Sequence, residues 1–186
     1  LRVGVESKDD HLRLKVLRKG HSRKQLVHAS ALMRDFGVNS GGYALLNPAP
    51  RLDPKWAEQE AIETIKWILD DGGLGMNEAY FGATCVGVTT TLAQSWREGT
   101  FVPATLRSVL RVLRSVLPEY ADRIHLLPFS DEPEFLAVPS NHVEKGIPQS
   151  LAGAMGCDLA FHSMFASYRD THNHHLLHDI RCSCNA

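Results

Sequence analysis

Between Pro103 and Pro118 the chain carries its most constraining feature: Leu106, Val109, Leu110, Leu113, Val116 and Leu117 recur at i, i+3, i+4, i+7, i+10 and i+11. This spacing lines one face of an α-helix, opened by Pro103 and stopped by Pro118, because proline suits a first helical turn and cannot extend the backbone ladder. A face that apolar has to be buried. The stretch from Asn77 to Leu117 is therefore predicted to form a hairpin of helices at the centre of the core.

One core suffices for a chain of 186 residues, and 44% hydrophobic with 22% charged residues is ordinary for a globular protein. No apolar run approaches the roughly 20 residues that cross a bilayer, which predicts no membrane contact. A charged start followed by an apolar segment is missing, and Cys85, Cys157, Cys182 and Cys184 are too few for a disulfide scaffold. The expected setting is an intracellular, reducing compartment or the inside of an assembled particle.

Two more helices are marked at their ends. Ser22 caps a segment carrying Leu26, Ala29, Leu32, Met33 and Phe36, closed by Gly37. Asp53 and Pro54 open another through Trp56, Ala57, Ala61, Ile65, Ile68 and Leu69, up to Gly72-Gly73. Arg2–Glu6 and His11–Arg18 alternate in polarity around Ser7-Lys8-Asp9-Asp10, which predicts a β-hairpin. The glycines, prolines and asparagines of 39–51 predict a loop. Gly82–Leu92 is read as helix, with a buried strand over Thr84–Thr91 as the alternative, because a short apolar run does not discriminate by period. Short strands are expected between 124 and 138, and a last long helix opens at Pro148. The fold predicted is mainly α: a single domain of 1–186, with a basic β-hairpin over 1–20, a helical core over 21–171 and a His/Cys-rich tail over 172–186.

Charge is unevenly spread beneath a formal net of -1. Arg13, Lys15, Arg18, Lys19, Arg23 and Lys24 crowd the amino end, and Arg107, Arg111 and Arg114 stripe the central helix. Cations spaced a turn apart can follow successive phosphates, so these nine are the candidate nucleic-acid-binding residues, with RNA as the expected partner. A solvated positive face is the competing reading. Opposed acidic and basic surfaces also suit association with copies of itself.

Two other constellations carry chemistry. Cys85 follows Gly82-Ala83-Thr84 at a predicted helix start, where a thiol is activated, and with His142 as base it would serve a cysteine hydrolase; a buried structural cysteine is the competing reading. His174 and His178 lie four apart and, with Cys182 and Cys184, could hold zinc, against a tail that is merely polar. His142-Val143-Glu144 has the H-x-E pattern of base deaminases, but no P-C-x-x-C follows it, which excludes that chemistry. The function expected is a self-associating nucleocapsid- or coat-type subunit, not an enzyme and without a cofactor; the hydrolase and the zinc-binding tail are the alternatives.

Overall fold

The computed structural model describes residues 1–129, 135–142, 157–178 and 180. Strands β1 (Arg2–Glu6), β2 (Gly41–Leu46), β3 (Glu78–Ala83) and β5 (Ile124–Leu126) form one parallel sheet in the order β1-β2-β3-β5. The intervening chain forms α1 (Arg23–Asp35), α2 (Pro54–Leu69), a short antiparallel strand β4 (Val86–Gly87), α3 (Thr91–Arg97) and α4 (Leu106–Tyr120). Strand β6 (Phe135–Ala137) pairs with β4, and α5 (Cys157–Thr171) precedes a 3-10 turn at His174–His178. Among the described residues no helix is long and apolar enough to cross a membrane.

The mainly α prediction is thus corrected to a mixed α/β fold. Parallel neighbours in sequence order need crossover connections, and here helices supply them. On one sheet face Val3, Val5, Ala44, Leu46, Ala79, Phe81, Ala83, Ile124 and Leu126 pack into a single core with residues of all the longer helices. The smallest of these side chains let helices approach closely: a Cβ on Gly42 would meet Ile68 of α2 at 3.0–3.1 Å.

The helices the sequence marked are present where their caps are. Ser22 and Gln25 form a reciprocal capping box on α1, the Asp53 carboxylate accepts the Trp56 amide at 2.9 Å, and the Thr105 hydroxyl accepts the Ser108 amide at 3.0 Å. Thr105 rather than Pro103 opens α4, and Pro118 sits within its last turn.

The predicted hairpin is corrected too. Only its first leg is a strand; Leu12–Val16 forms a π-helical turn. Asp9 starts that turn by accepting the Leu12 amide at 2.6 Å, and Arg13 then points inward, where it is fully buried. Its guanidinium donates to the Ser7 and His21 carbonyls and pairs with Asp10. The predicted helical hairpin over 77–117 instead begins with strand β3, which pairs with β2 along its whole length, and only α3 and α4 within it are helical. The start of the last helix at Pro148 lies outside the described residues.

Two substitutions test the packing. Ile65→Ala, at a position with no exposure, lowers unfolding free energy by about 2–5 kcal/mol in urea titration. Arg13→Ala leaves buried carbonyls without a donor and costs about 1–3 kcal/mol for each.

Candidate functional site

Strand alternation sends every second side chain to the face away from the helices. Register places Gly4, Tyr43, Tyr80 and His125 in one row across β1, β2, β3 and β5. Glu78 and Arg2 lie toward the strand starts, while Glu6 lies toward the strand ends. Small residues are required where neighbours lean across this face: a Cβ on Gly4 would stand 2.8 Å from the Glu6 carboxylate, and one on Gly41 would stand 2.7 Å from the Tyr80 ring.

Toward the strand starts the side chains form a continuous polar and aromatic chain. The Arg2 guanidinium sits 4.3 Å from the Tyr80 ring centroid, the Tyr80 hydroxyl donates to Glu78, and His125 stacks on Tyr80 at 4.9 Å. The Tyr80 hydrogen bond, with help from His125 and Arg2, holds the Glu78 carboxyl below its ordinary value against the opposing effect of burial. Burial first, then Glu78, pushes the Tyr80 phenol up. His172 meets His125 edge-on at 5.2 Å.

The strand ends carry the features of a reaction site. Parallel α/β sheets bind ligands outside the carboxyl ends of their strands, where successive loops converge. There Glu6 and Asn47 hold left-handed backbone with φ of 66° and 54°, as do Arg18 and Arg51 in the adjoining loops. Strain of this kind clusters at functional sites. The nearly buried Glu6 carboxylate pairs with Lys19 at 2.6 Å, and the His21 ring lies 3.2 Å from the Gly4 carbonyl. Immediately after β3 the Thr84 hydroxyl is buried without a hydrogen-bond partner among the described residues. A carboxylate, an ammonium, an amide and a hydroxyl thus edge three adjacent strands. Such a set can hydrogen-bond and orient a polar ligand.

The candidate cations have divided roles. Lys15, Arg18 and Lys24 are exposed, and Arg23 lies 5.1 Å from the Trp67 ring. Arg13 is interior, and Lys19 is committed to Glu6. Arg111 grips Glu58 with two bonds of 2.9 and 2.5 Å; burial pushes the Glu58 carboxyl up, but hydrogen bonds from Arg111 and Ser108 outweigh it and the net shift is down. Arg114 donates to the Leu177 carbonyl, and the Arg107 amide donates to Asn141 at 3.0 Å. The Arg111 and Arg114 guanidiniums of the central stripe are therefore drawn into contacts within the chain.

Cys85 and His142 are not brought together. The Cys85 sulfur faces the Ala83 and Phe129 carbonyls, and burial pushes its thiol up to about 12, far from a thiolate at neutral pH. His142 lies against Cys157 at 3.3 Å. The His174 and His175 rings approach at 4.3 Å and His178 is exposed, while Cys182 and Cys184 lie outside the described residues. Sequence reasoning missed Glu6, Asn47, Thr84, Glu78, Tyr80 and His125 as site residues. The one available signal was that several would fall at strand ends, but of those strands β2 had been read as loop and β3 as helix.

No protein-family profile matches the chain. Over 133 residues it is 25% identical to the archaeosine synthase subunit beta of Methanosarcina acetivorans, covering 72% of this chain and 36% of that protein. Its fold is that of archaeal Methanocaldococcus infernus Elp3 with its N-terminus (1–46) deleted. The TM-score is 0.61 at 16% identity, over 98% of this chain and 37% of the other. The chain spans little more than a third of either protein. These likenesses overturn the coat-type subunit as an account of what the chain does. The capsid reading had assumed an outward groove of cations, which Arg13, Arg111 and Arg114 do not form.

Two outcomes test this geometry. Iodoacetamide near neutral pH leaves Cys85 unmodified in the folded protein and labels it in denaturant, read by peptide mass spectrometry. Because the folded Glu78 carboxyl is held low, its contribution is fully present above the ordinary carboxylate range and is lost as pH falls through the lowered value. Urea midpoints of wild type and Glu78→Gln, measured across a pH series, therefore differ most near neutrality and converge in acid.

Proposed function

We propose that this chain belongs to an RNA-modification enzyme, with tRNA as its substrate class, and that it supplies part of the reaction site along the carboxyl edge of its parallel sheet. The observation that carries this reading is the 133-residue likeness to a subunit of archaeosine synthase. The fold shared with Elp3 supports it, and so does the strained, polar edge formed by Glu6, Asn47 and Thr84. A crossover helix begins at the end where its strand finishes. The turn and helix after β1 therefore bring the exposed Lys15, Arg18 and Lys24 to that same edge. There they can follow phosphates flanking a nucleoside presented to Glu6. In this reading the chain works within a larger assembly, as the name of its archaeal relative as a subunit suggests.

Mass spectrometry of nucleosides from bulk tRNA tests the proposal. Cells lacking the gene lose one modified nucleoside, which wild type restores and Glu6→Ala does not. An unchanged nucleoside profile overturns the reading. In a filter-binding salt titration, replacing Lys15, Arg18 and Lys24 together by alanine weakens tRNA binding. The same change flattens the log–log salt slope by about 0.7–0.9 for each phosphate that is no longer neutralised.

A further inference from the structure

The segment after β6 and the first turn of α5 bring together an imidazole, a thiol and a carboxylate. His142, Cys157 and Asp158 each offer one ligand atom, and these atoms all lie within 4.8 Å of one another. We propose that they bind a divalent transition-metal ion of the zinc class, through residues other than those named for the reaction edge and for the His/Cys-rich tail.

The donor set fits that class. Nitrogen, sulfur and carboxylate oxygen together suit a borderline ion such as zinc and do not suit magnesium or calcium, which take oxygen. Spacing fits as well. Metal–ligand bonds of about 2.0–2.3 Å in a tetrahedron hold the ligand atoms about 3.5 Å apart. The His142 Nε2 to Cys157 Sγ distance is 3.3 Å, and Cys157 Sγ to Asp158 Oδ1 is 3.9 Å. Closing the remaining pair requires only a side-chain adjustment.

The surroundings hold the ligands in place. Asp158 is only 4% exposed, and among the described residues no lysine or arginine forms an ion pair with it. A buried carboxylate gains most from a nearby cation. Its oxygens accept the Ser140 hydroxyl at 2.5 Å and the Asn141 amide at 3.0 and 3.2 Å, and the Ser140 oxygen in turn accepts the His142 amide at 2.9 Å. These outer bonds fix the carboxylate and the imidazole-bearing backbone toward one point, as the supporting shell of a metal site does. Bound metal would pin the segment after β6 to the start of α5.

The test is a cobalt(II) titration of the whole chain after stripping with chelator. Wild type develops a near-ultraviolet thiolate-to-cobalt charge-transfer band with the visible bands of tetrahedral coordination. Cys157→Ser abolishes the charge-transfer band, whereas Cys85→Ser and the double change of Cys182 and Cys184 to serine retain it. His142→Ala, at an exposed position that circular dichroism shows to fold normally, and Asp158→Asn each weaken binding by at least about tenfold. Lack of the band in wild type, or its full intensity in Cys157→Ser, overturns the site.

Discussion

Burial of alternate strand residues beneath α2 and α4 is the interaction on which the rest of the molecule depends. Fully burying a side chain such as Phe81, Ile65, Ile68 or Leu113 contributes about 1.5–3 kcal/mol, and dozens of residues share this one core. A surface pair such as Arg111–Glu58, with the arginine half exposed, contributes about 0–1 kcal/mol. Packing therefore decides which way each strand faces, and electrostatics adjusts what is left. With one face claimed by helices, every second residue of β1, β2, β3 and β5 is sent to the opposite face.

That opposite face explains where the polar groups went. Arg2 lies level with Glu78, and Tyr80 lies level with His125, because the strands are in register there, while a register shift after Gly4 sets Glu6 apart at the end of β1. Gly4 and Gly41 give the Glu6 carboxylate and the Tyr80 ring room to lie flat on the backbone. At the strand ends the chain has to turn sharply into its crossovers, and Glu6 and Asn47 take left-handed backbone there although neither is glycine. Such strain persists only where surrounding structure enforces it, and here Lys19 holds the Glu6 side chain while the Asn47 amide donates to the Val102 carbonyl at 2.8 Å.

The cations show how one sequence feature divides in three dimensions. Arg13 closes the turn after β1 from within, Arg114 ties the last 3-10 turn to α4, and Arg123 donates to the Leu69, Met76 and Asn77 carbonyls, where α2 ends and β3 begins. Guanidinium is suited to this work, because one planar group satisfies several carbonyls at once. Lys15, Arg18 and Lys24 remain outside, at the end of the sheet where the strained residues are. The basic amino end thus contributes both internal clamps and an exposed rim.

Helices with local signals were legible in the sequence. Ser22 with Gln25, Asp53 with Pro54, and the apolar stripe from Leu106 to Leu117 act through bonds and contacts within a few residues, so the sequence alone determined α1, α2 and α4. Of the sheet, β1 and the short strands between 124 and 138 were legible, and β2 and β3 were not. Gly41–Leu46 and Glu78–Ala83 are rich in glycine and alanine, which have weak strand preference and blur the period-two alternation. Cys85 and His142 looked like partners by residue type, yet a third of the chain separates them and the fold sends each to a different neighbour. The meeting of Glu6, Asn47 and Thr84 along one edge arises from backbone pairing between segments far apart in sequence, and that of His142 with Cys157 and Asp158 from side-chain bonds between the segment after β6 and the start of α5. Only the tertiary structure decided those meetings, because no local propensity encodes which strand lies next to which.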